Sequence, residues 1–228
     1  MNLTDLFRIS FVTRASKIAL RFEDRALTFA ELDAASNRVA RALQRLGLTR
    51  GDRVAFYLGN GLELIFAYLA NLKLGVITVP MNTQYREMEL THILNDAAPR
   101  MLVTDRAQWQ IVDPLRAQLP SLEHVVIAEE LDALTAHESP DALDVSVDGE
   151  ELAAIMYTSG TTGRSKGAMI THNNLVANIT ALVAAWHWSG DDTLLLTLPL
   201  FHMHGLGVAL HGALTTGCTT ILHRAFKL

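Results

Sequence analysis

Apolar and polar positions in the first 128 residues alternate between two periods. Short apolar runs bounded by Gly, Pro, Asp or Glu predict β-strands, and segments with apolar residues every three or four positions predict helices. Because the two kinds of segment alternate along the chain, we expect parallel β-α-β units. The strands are predicted at residues 19–22, 25–28, 54–58, 76–79, 101–104 and 124–128, and the helices at residues 28–46, 60–75, 86–97 and 108–118.

Residues with capping chemistry mark the predicted helix ends. Thr28 is followed three residues later by Glu31, which is the pattern of a capping box. Asn60 is expected to cap the second helix through its side chain. Gly47 and Gly75 stand where the first two helices should end, because glycine readily adopts the left-handed conformation found there.

A change of character separates the two halves of the chain. Residues 129–151 hold nine acidic residues and no Lys or Arg, and we interpret them as a solvated surface connection. The pattern after them predicts strands at residues 152–157, 166–171, 193–198 and 218–222 and helices at residues 173–186 and 205–214.

The late part of the chain is unusually poor in charge. Residues 193–223 contain no Asp, Glu, Lys or Arg, and a segment of this length would cross a bilayer. Pro199 and several histidines interrupt the segment, so we expect a buried strand, loop, helix and strand rather than a membrane span. The low charge suggests that another part of the protein covers this half.

Composition narrows the class of protein. Of 228 residues, 50% are hydrophobic and 19% are charged, which is typical of a globular domain. The net charge of −5 argues against a nucleic-acid-binding groove. Cys218 is the single cysteine, which excludes an internal disulfide and favours a reducing, cytoplasmic setting. The N-terminal residues lack the pattern of a secretory signal.

Residues 158–167, T-S-G-T-T-G-R-S-K-G, form the strongest chemical signal in the chain. Glycines allow the backbone to approach a ligand closely, and successive N–H groups in such a turn can cradle phosphate oxygens. Hydroxyls and the Lys166 ammonium add donors and positive charge. The segment lacks the Gly-Lys-Ser/Thr order of the common nucleoside-triphosphatase loop, and no G-x-G-x-x-G motif is present.

Two histidines form a second candidate site. His202 and His204 follow Pro199, and an extended chain would place both side chains on the same side. An imidazole there could bind a carboxylate or donate toward developing negative charge. A structural role is the alternative for either histidine. With His211, the pair has no carboxylate or cysteine at ligand spacing, so zinc is not indicated.

The chain resembles the adenylate-forming enzymes, which include acyl-CoA synthetases, aryl-CoA ligases and luciferases. The motif T-S-G-T-T-G-x-x-K-G looks like the phosphate loop of that family. Its opening segments are similar to T-F-A-E-L at residues 28–32, G-D-R-V at 51–54 and G-V-I-T-V-P-M-N at 75–82. Arg164-Ser165, where proline is commonest at the second position, and A-M-I-T-H at 168–172 resemble the malonyl-CoA synthetase branch.

The resemblance implies an α/β fold with the parallel β-α-β layers of the adenylate-forming N-terminal domain, incomplete and without the C-terminal lid domain. Residues 1–228 would be the first part of that domain. Residues 51–189 would form one sheet layer, which carries the phosphate loop at 158–167. Residues 1–50 and 190–228 would contribute to a second, incomplete layer. The adenine, ribose and most CoA contacts, and the lid lysine, would lie beyond the sequence.

The resemblance also implies residue roles. Thr158 would be the hydroxyl on the metal side of the loop, as one part of a Mg²⁺ site. His204 and Lys166 would be catalytic, His204 would face the reacting carboxylate, and His202 would line or gate the acid pocket. The β- and γ-phosphates would be held by Thr158 and Lys166 together with Ser159, Gly160, Thr161, Thr162 and Gly163.

The implied reaction joins a small carboxylic acid to coenzyme A with ATP and Mg²⁺, and malonate is the acid that the branch resemblance favours. We expect residues 1–228 alone to be inactive. Medium-chain fatty acids, aryl acids and a stand-alone phosphate- or partner-binding module are the alternatives. A second carboxylate needs a cation, and we expect the basic residue for malonate to lie past Leu228, because none is recognisable in residues 1–228. Arg86 is the alternative pocket residue, although a surface salt bridge is the favoured role for it. The oligomeric state is not indicated.

Overall fold

The structure is a computed structural model, and it describes residues 1–158 and 164–226. Its strands and helices alternate along most of the chain, as the apolar pattern predicts. The strands are β1 (Ile18–Phe22), β2 (Arg25–Thr28), β3 (Arg53–Tyr57), β4 (Ile77–Pro80), β5 (Met101–Thr104), β6 (His124–Ile127), β7 (Leu152–Thr158), β8 (Lys166–Thr171), β9 (Thr193–Leu196) and β10 (Thr219–Leu222). The α-helices are α1 (Leu3–Thr13), α2 (Phe29–Arg45), α3 (Leu62–Leu74), α4 (Glu87–Ala97), α5 (Arg106–Val112), α6 (Leu131–Thr135), α7 (His172–Trp186) and α8 (His211–Thr216).

The strands form two sheets. The larger has the order β6-β5-β3-β4-β7-β8, and the smaller has the order β2-β1-β10-β9. Neighbours pair in parallel except in β1–β2 and β7–β8, which are antiparallel. Both exceptions join strands that follow each other directly, because a short connection can return the chain only in the opposite direction.

Helix α3 lies at the centre of the core. Eleven of its residues are buried, so it is covered on nearly every side, as expected for a helix that is apolar all round. Its neighbour α2 begins at the capping box that the sequence predicts, with the Thr28 side chain accepting from the backbone N–H of Glu31. Gly75 ends α3 in the left-handed conformation, with φ of 67°.

The acidic segment at residues 129–151 is not simply a solvated connection, and that interpretation is partly wrong. Its short helix α6 packs on α2, and Leu131 and Val147 are buried. Arginines on α2 bind the segment: Arg45 pairs with Glu138 at 2.7 Å. The basic partners of the segment are therefore supplied by other parts of the chain rather than by the segment itself.

Two helices differ from their predicted form. The predicted helix at residues 108–118 is α5 followed by a 3₁₀ turn, Asp113–Gln118, which has a proline near its start. The predicted helix at 205–214 is a π-helix, His204–Leu210, which continues into α8. Helix α1 was not predicted, although Asn2 and Asp5 form a capping box at its start. No helix in the described ranges is both long and apolar enough to span a membrane.

Candidate active site

A small cavity of about 200 Å³ opens where strands of both sheets end. The last residues of β7 meet there with residues at or after the carboxyl ends of β4 and β9. This is where open α/β sheets usually bind ligands. Polar groups of three candidate residues, Thr158, His202 and His204, therefore share one cavity. The full lining is Pro80, Asn82, Tyr85, Met156, Tyr157, Thr158, Phe201, His202, Met203 and His204.

The two histidines reach the cavity through a turn, not through an extended chain. The backbone N–H of His202 donates to the Pro199 carbonyl at 3.2 Å, and the N–H of Leu206 donates to the His202 carbonyl at 2.9 Å. The π-helix then starts at His204. The expectation that side-chain alternation brings His202 and His204 together is wrong, because the chain turns after Pro199. Both side chains are exposed toward solvent at the cavity.

Asn60 fixes the segment that leads into this turn. Its side-chain amide donates to the carbonyls of Leu198 and His223, each at 3.0 Å, and its oxygen accepts from the N–H of Leu200 at 2.8 Å. Asn60 was expected to cap α3, but Gly61 holds the N-cap position without a side-chain hydrogen bond. The buried amide instead joins the two sheets beside the histidines.

Gly205 allows the π-helix to pack closely against the same segment. A Cβ at this position would overlap the backbone carbonyl of Pro199. The neighbouring His204 is therefore held at the cavity by a contact between two stretches of backbone, which only glycine permits.

The hairpin of β7 and β8 presents the other candidate residues. Thr158 at the end of β7 pairs in register with Lys166 at the start of β8. Both side chains are exposed. Thr158 lines the cavity, whereas Lys166 is not among its lining residues. The candidate phosphate-binding residues between them, Ser159, Gly160, Thr161, Thr162 and Gly163, lie outside the described residues.

A model of the AMP-binding enzyme family matches residues 7–228. The chain belongs to this family. The adenylate-forming resemblance read from the motifs is thus confirmed at the level of the family.

The chain is similar to acid–CoA ligases along most of its length. It is 34% identical to the medium-chain fatty-acid–CoA ligase of Escherichia coli K12, over 81% of this chain and 35% of that protein. ATP-bound MatB from Rhodopseudomonas palustris matches with a TM-score of 0.89 and 34% identity, over 100% of this chain and 46% of the other. The inhibitor-bound N-terminal domain of FACL13 from Mycobacterium tuberculosis matches with a TM-score of 0.94 and 28% identity, over 99% of this chain and 58% of the other.

These coverages define what the chain represents within the family. The α/β fold with parallel sheets is that of the N-terminal domain of adenylate-forming enzymes, as the resemblance implied. The chain spans about a third of the fatty-acid ligase and about half of the MatB chain.

Arg86 makes contacts other than the surface salt bridge that was one of its two expected roles. Its guanidinium donates to the backbone carbonyls of Tyr85 at 2.7 Å and Thr83 at 3.2 Å. It does not line the cavity of the histidines, and it forms no salt bridge among the described residues. The side chain instead holds the turn that precedes α4.

His211 is also separate from the cavity. It is fully buried, and its Nε2 lies 2.7 Å from the Tyr68 hydroxyl. Burial lowers the pKa of His211 to about 3, and a second buried histidine, His172, has a pKa lowered by burial to about 4. Both imidazoles are therefore neutral core groups. Among the described residues, no three His, Cys, Asp or Glu side chains are grouped to hold a metal ion.

Proposed function

We propose that the complete protein is an ATP-dependent acid–CoA ligase. A carboxylate oxygen attacks the α-phosphorus of ATP, the bond to pyrophosphate breaks, and an acyl-adenylate forms. The coenzyme A thiol then attacks the acyl carbon, loses its proton and displaces AMP. The observation that carries the proposal is the single cavity shared by Thr158, His202 and His204 beside the β7–β8 hairpin, in a chain of the AMP-binding family.

Lys166 and the residues of the phosphate loop would hold the ATP phosphates. The cross-strand pairing of Thr158 and Lys166 puts a hydroxyl and an ammonium side by side at the loop end of the hairpin. Opposite charge fixed next to the transferred group stabilises the negative charge that moves onto pyrophosphate. Lys166 would therefore bind phosphate oxygens more strongly as the α-phosphorus bond breaks.

Thr158 fits one position of a Mg²⁺ site. Mg²⁺ takes few protein oxygens and completes its shell with water and phosphate, and the exposed Thr158 hydroxyl at the cavity is such an oxygen. When bound, the ion would neutralise charge on the phosphate oxygens. One hydroxyl makes only part of a site, so further ligands would come from ATP and from the rest of the protein.

His204 would orient the reacting acid. Its imidazole is exposed at the cavity, where an N–H can donate to a carboxylate oxygen and aim the other oxygen at the α-phosphorus. His202 is next to the Phe201 ring, with centroids 4.6 Å apart, and it would line the acid pocket. We propose a short dicarboxylate such as malonate as the acid. Support comes from the resemblance of residues 164–172 to the malonyl-CoA synthetase branch.

The test is pyrophosphate release by the complete protein with malonate, acetate, octanoate and benzoate. We expect malonate to give the highest kcat/KM, and malonate ranking last would contradict the proposed substrate. Lys166→Ala should lower kcat/KM for ATP by roughly tenfold or more, because charge-assisted bonds to phosphate are lost. Arg8→Ala, which removes one positive charge from the exposed face of α1, is the matched control. Residues 1–228 alone should not form acyl-CoA.

A further inference from the structure

One face of α4 contacts β7 and the residue that leads into β8. His92 and Asp96 are one helical turn apart, so their side chains lie on the same face. The Nε2 atom of His92 lies 2.8 Å from the carbonyl oxygen of Ser165, the residue before β8. The Tyr157 hydroxyl, from the residue before the end of β7, donates a hydrogen bond to the Asp96 carboxylate.

The chemistry of the partners defines these contacts. A carbonyl oxygen can only accept, so the Nε2 atom of His92 carries a hydrogen and donates it. Burial, together with the hydrogen bond to Asp96, raises the pKa of the Tyr157 phenol, which therefore keeps its proton and donates. The rings of His92 and Tyr157 also pack edge to face, with centroids 6.3 Å apart. The two hydrogen bonds thus form one cluster.

Gly167 of β8 packs closely against Tyr157, which belongs to the cluster of His92, Asp96 and Tyr157. Gly167 pairs with Tyr157 across the strands, and a Cβ on Gly167 would lie 3.1 Å from Cζ of the Tyr157 ring. The next pair toward the connecting loop is Thr158 with Lys166. The contacts from α4 therefore reach the backbone and side chain directly next to the two described residues assigned to phosphate binding.

We propose that His92 and Asp96 are positioning residues of the phosphate-binding hairpin. His92 holds Ser165, and through it the start of β8 at Lys166. Asp96 holds Tyr157, and through it the end of β7 at Thr158. The assignment rests on the proposed function, because it is the binding of ATP phosphates by Thr158 and Lys166 that requires the hairpin to be held in place.

The end of the hairpin that carries Thr158 and Lys166 needs support from a neighbouring element. Lys166 and Thr158 are exposed, and β8 lies at one edge of the larger sheet that the described residues form. An exposed lysine at the end of an edge strand samples many positions unless its backbone is fixed. A small displacement of a group that aligns reactants can lower a reaction rate strongly. The helix α4 is a rigid support, with Leu90, Ile93 and Leu94 buried in the core.

The test compares variants of the complete protein. His92→Ala removes the donor to Ser165, and His92→Gln keeps a side-chain N–H of similar reach. Tyr157→Phe removes only the hydroxyl that binds Asp96. Asn95→Ala is the matched control, because Asn95 is exposed on the same helix and its amide donates within the helix, to the Thr91 carbonyl. The measurements are KM for ATP, KM for the acid, and amide hydrogen exchange of peptides that cover β7 and β8.

We expect His92→Ala and Tyr157→Phe each to raise KM for ATP by roughly five- to tenfold, which is the effect of losing one hydrogen bond. For His92→Ala, KM for the acid should change less than about twofold, because His92 does not line the cavity of His202 and His204. Amide hydrogen exchange in β7 and β8 should become faster in both variants. His92→Gln should restore most of the loss. Asn95→Ala should match the unmodified protein in every measurement.

The outcomes separate the two proposals. If the unmodified protein shows no ATP-dependent activity, the proposed function fails, and exchange still decides whether α4 holds the hairpin. If the protein is active but His92→Ala behaves like Asn95→Ala, the positioning role is overturned. Faster exchange without a change in KM for ATP would also overturn it, because the hairpin would then be held for a purely structural reason.

Discussion

Gly205 is a residue at which one methyl group should disturb the candidate site. We expect Gly205→Ala to lower the free energy of unfolding by about 1–3 kcal/mol, as overpacking against a rigid neighbour does. The neighbour is the Pro199 backbone carbonyl, which cannot move aside as a flexible side chain would. Urea denaturation measures the change.

Gly59→Ala is the control for that substitution. A Cβ at Gly59 would have no heavy atom within 4 Å, and its φ is not in the left-handed region. Its free energy of unfolding should stay within about 0.5 kcal/mol of the unmodified protein. Equal losses for the two alanine variants would mean that the contact between Gly205 and Pro199 does not limit the packing there.

At the same scale, the candidate residues could be predicted from the sequence more easily than the residues that hold them. Thr158 and Lys166 stand in a motif, and His202 and His204 stand in a recognisable segment. Asn60 carries the ordinary signal of a helix cap, yet its partners Leu198 and His223 come late in the chain. A local pattern cannot reveal a hydrogen bond whose acceptor is set by the packing of two sheets. The contacts of His92 and Asp96 with the β7–β8 hairpin were not predicted for the same reason.

At the scale of elements, apolar periodicity predicted where helices and strands lie but not their finer form. Residues 204–210 were predicted as part of an ordinary helix, whereas they form a π-helix in which Gly205 approaches the Pro199 carbonyl closely. Strands β1 and β10 pair in parallel, with Leu20 opposite Thr220. No periodicity encodes such a distant pairing, and only the family resemblance implied a second layer of this kind.

A largely buried lysine, Lys73, joins α3 to α2. The Nζ atom of Lys73 on α3 lies 2.6 Å from the carboxylate of Asp33, the hydroxyl of Ser36 and the amide oxygen of Asn37, all on α2. Burial lowers the pKa of Lys73, and the charge of Asp33 opposes that shift. We expect Lys73→Met to lower the free energy of unfolding by about 3 kcal/mol, because three polar partners lose their donor.

Arg45→Met provides the comparison for Lys73→Met. Arg45 also binds a carboxylate across elements, that of Glu138, but its side chain is 54% exposed, against 13% for Lys73. An exposed ion pair contributes about 0–1 kcal/mol, so the loss in urea denaturation should be small. If Arg45→Met lowered the free energy of unfolding as much as Lys73→Met, burial would not decide how much such an ion pair contributes to stability.

At the scale of the whole molecule, two buried histidines make stability depend on pH. His172 accepts a hydrogen bond from the backbone N–H of Leu3 on α1, and His211 pairs with Tyr68 on α3, so both lie where several helices meet. The pKa values of about 4 and about 3 are below the ordinary value of 6.5. The folded protein therefore keeps both imidazoles neutral at pH values where the unfolded chain binds protons.

The sign of the effect follows from proton binding. Between about pH 6.5 and pH 4 the unfolded state binds more protons than the folded state, so the free energy of unfolding falls as the pH falls. For each histidine the loss should be about 2 kcal/mol at pH 5 relative to pH 7.5. Urea denaturation at the two pH values measures it.

Two variants test the contribution of His172. His172→Gln should reduce the pH dependence of the free energy of unfolding, whatever it does to stability at pH 7.5. His137→Gln, at an exposed position, should leave that pH dependence unchanged. Equal slopes for both variants would mean that His172 is not held neutral in the fold.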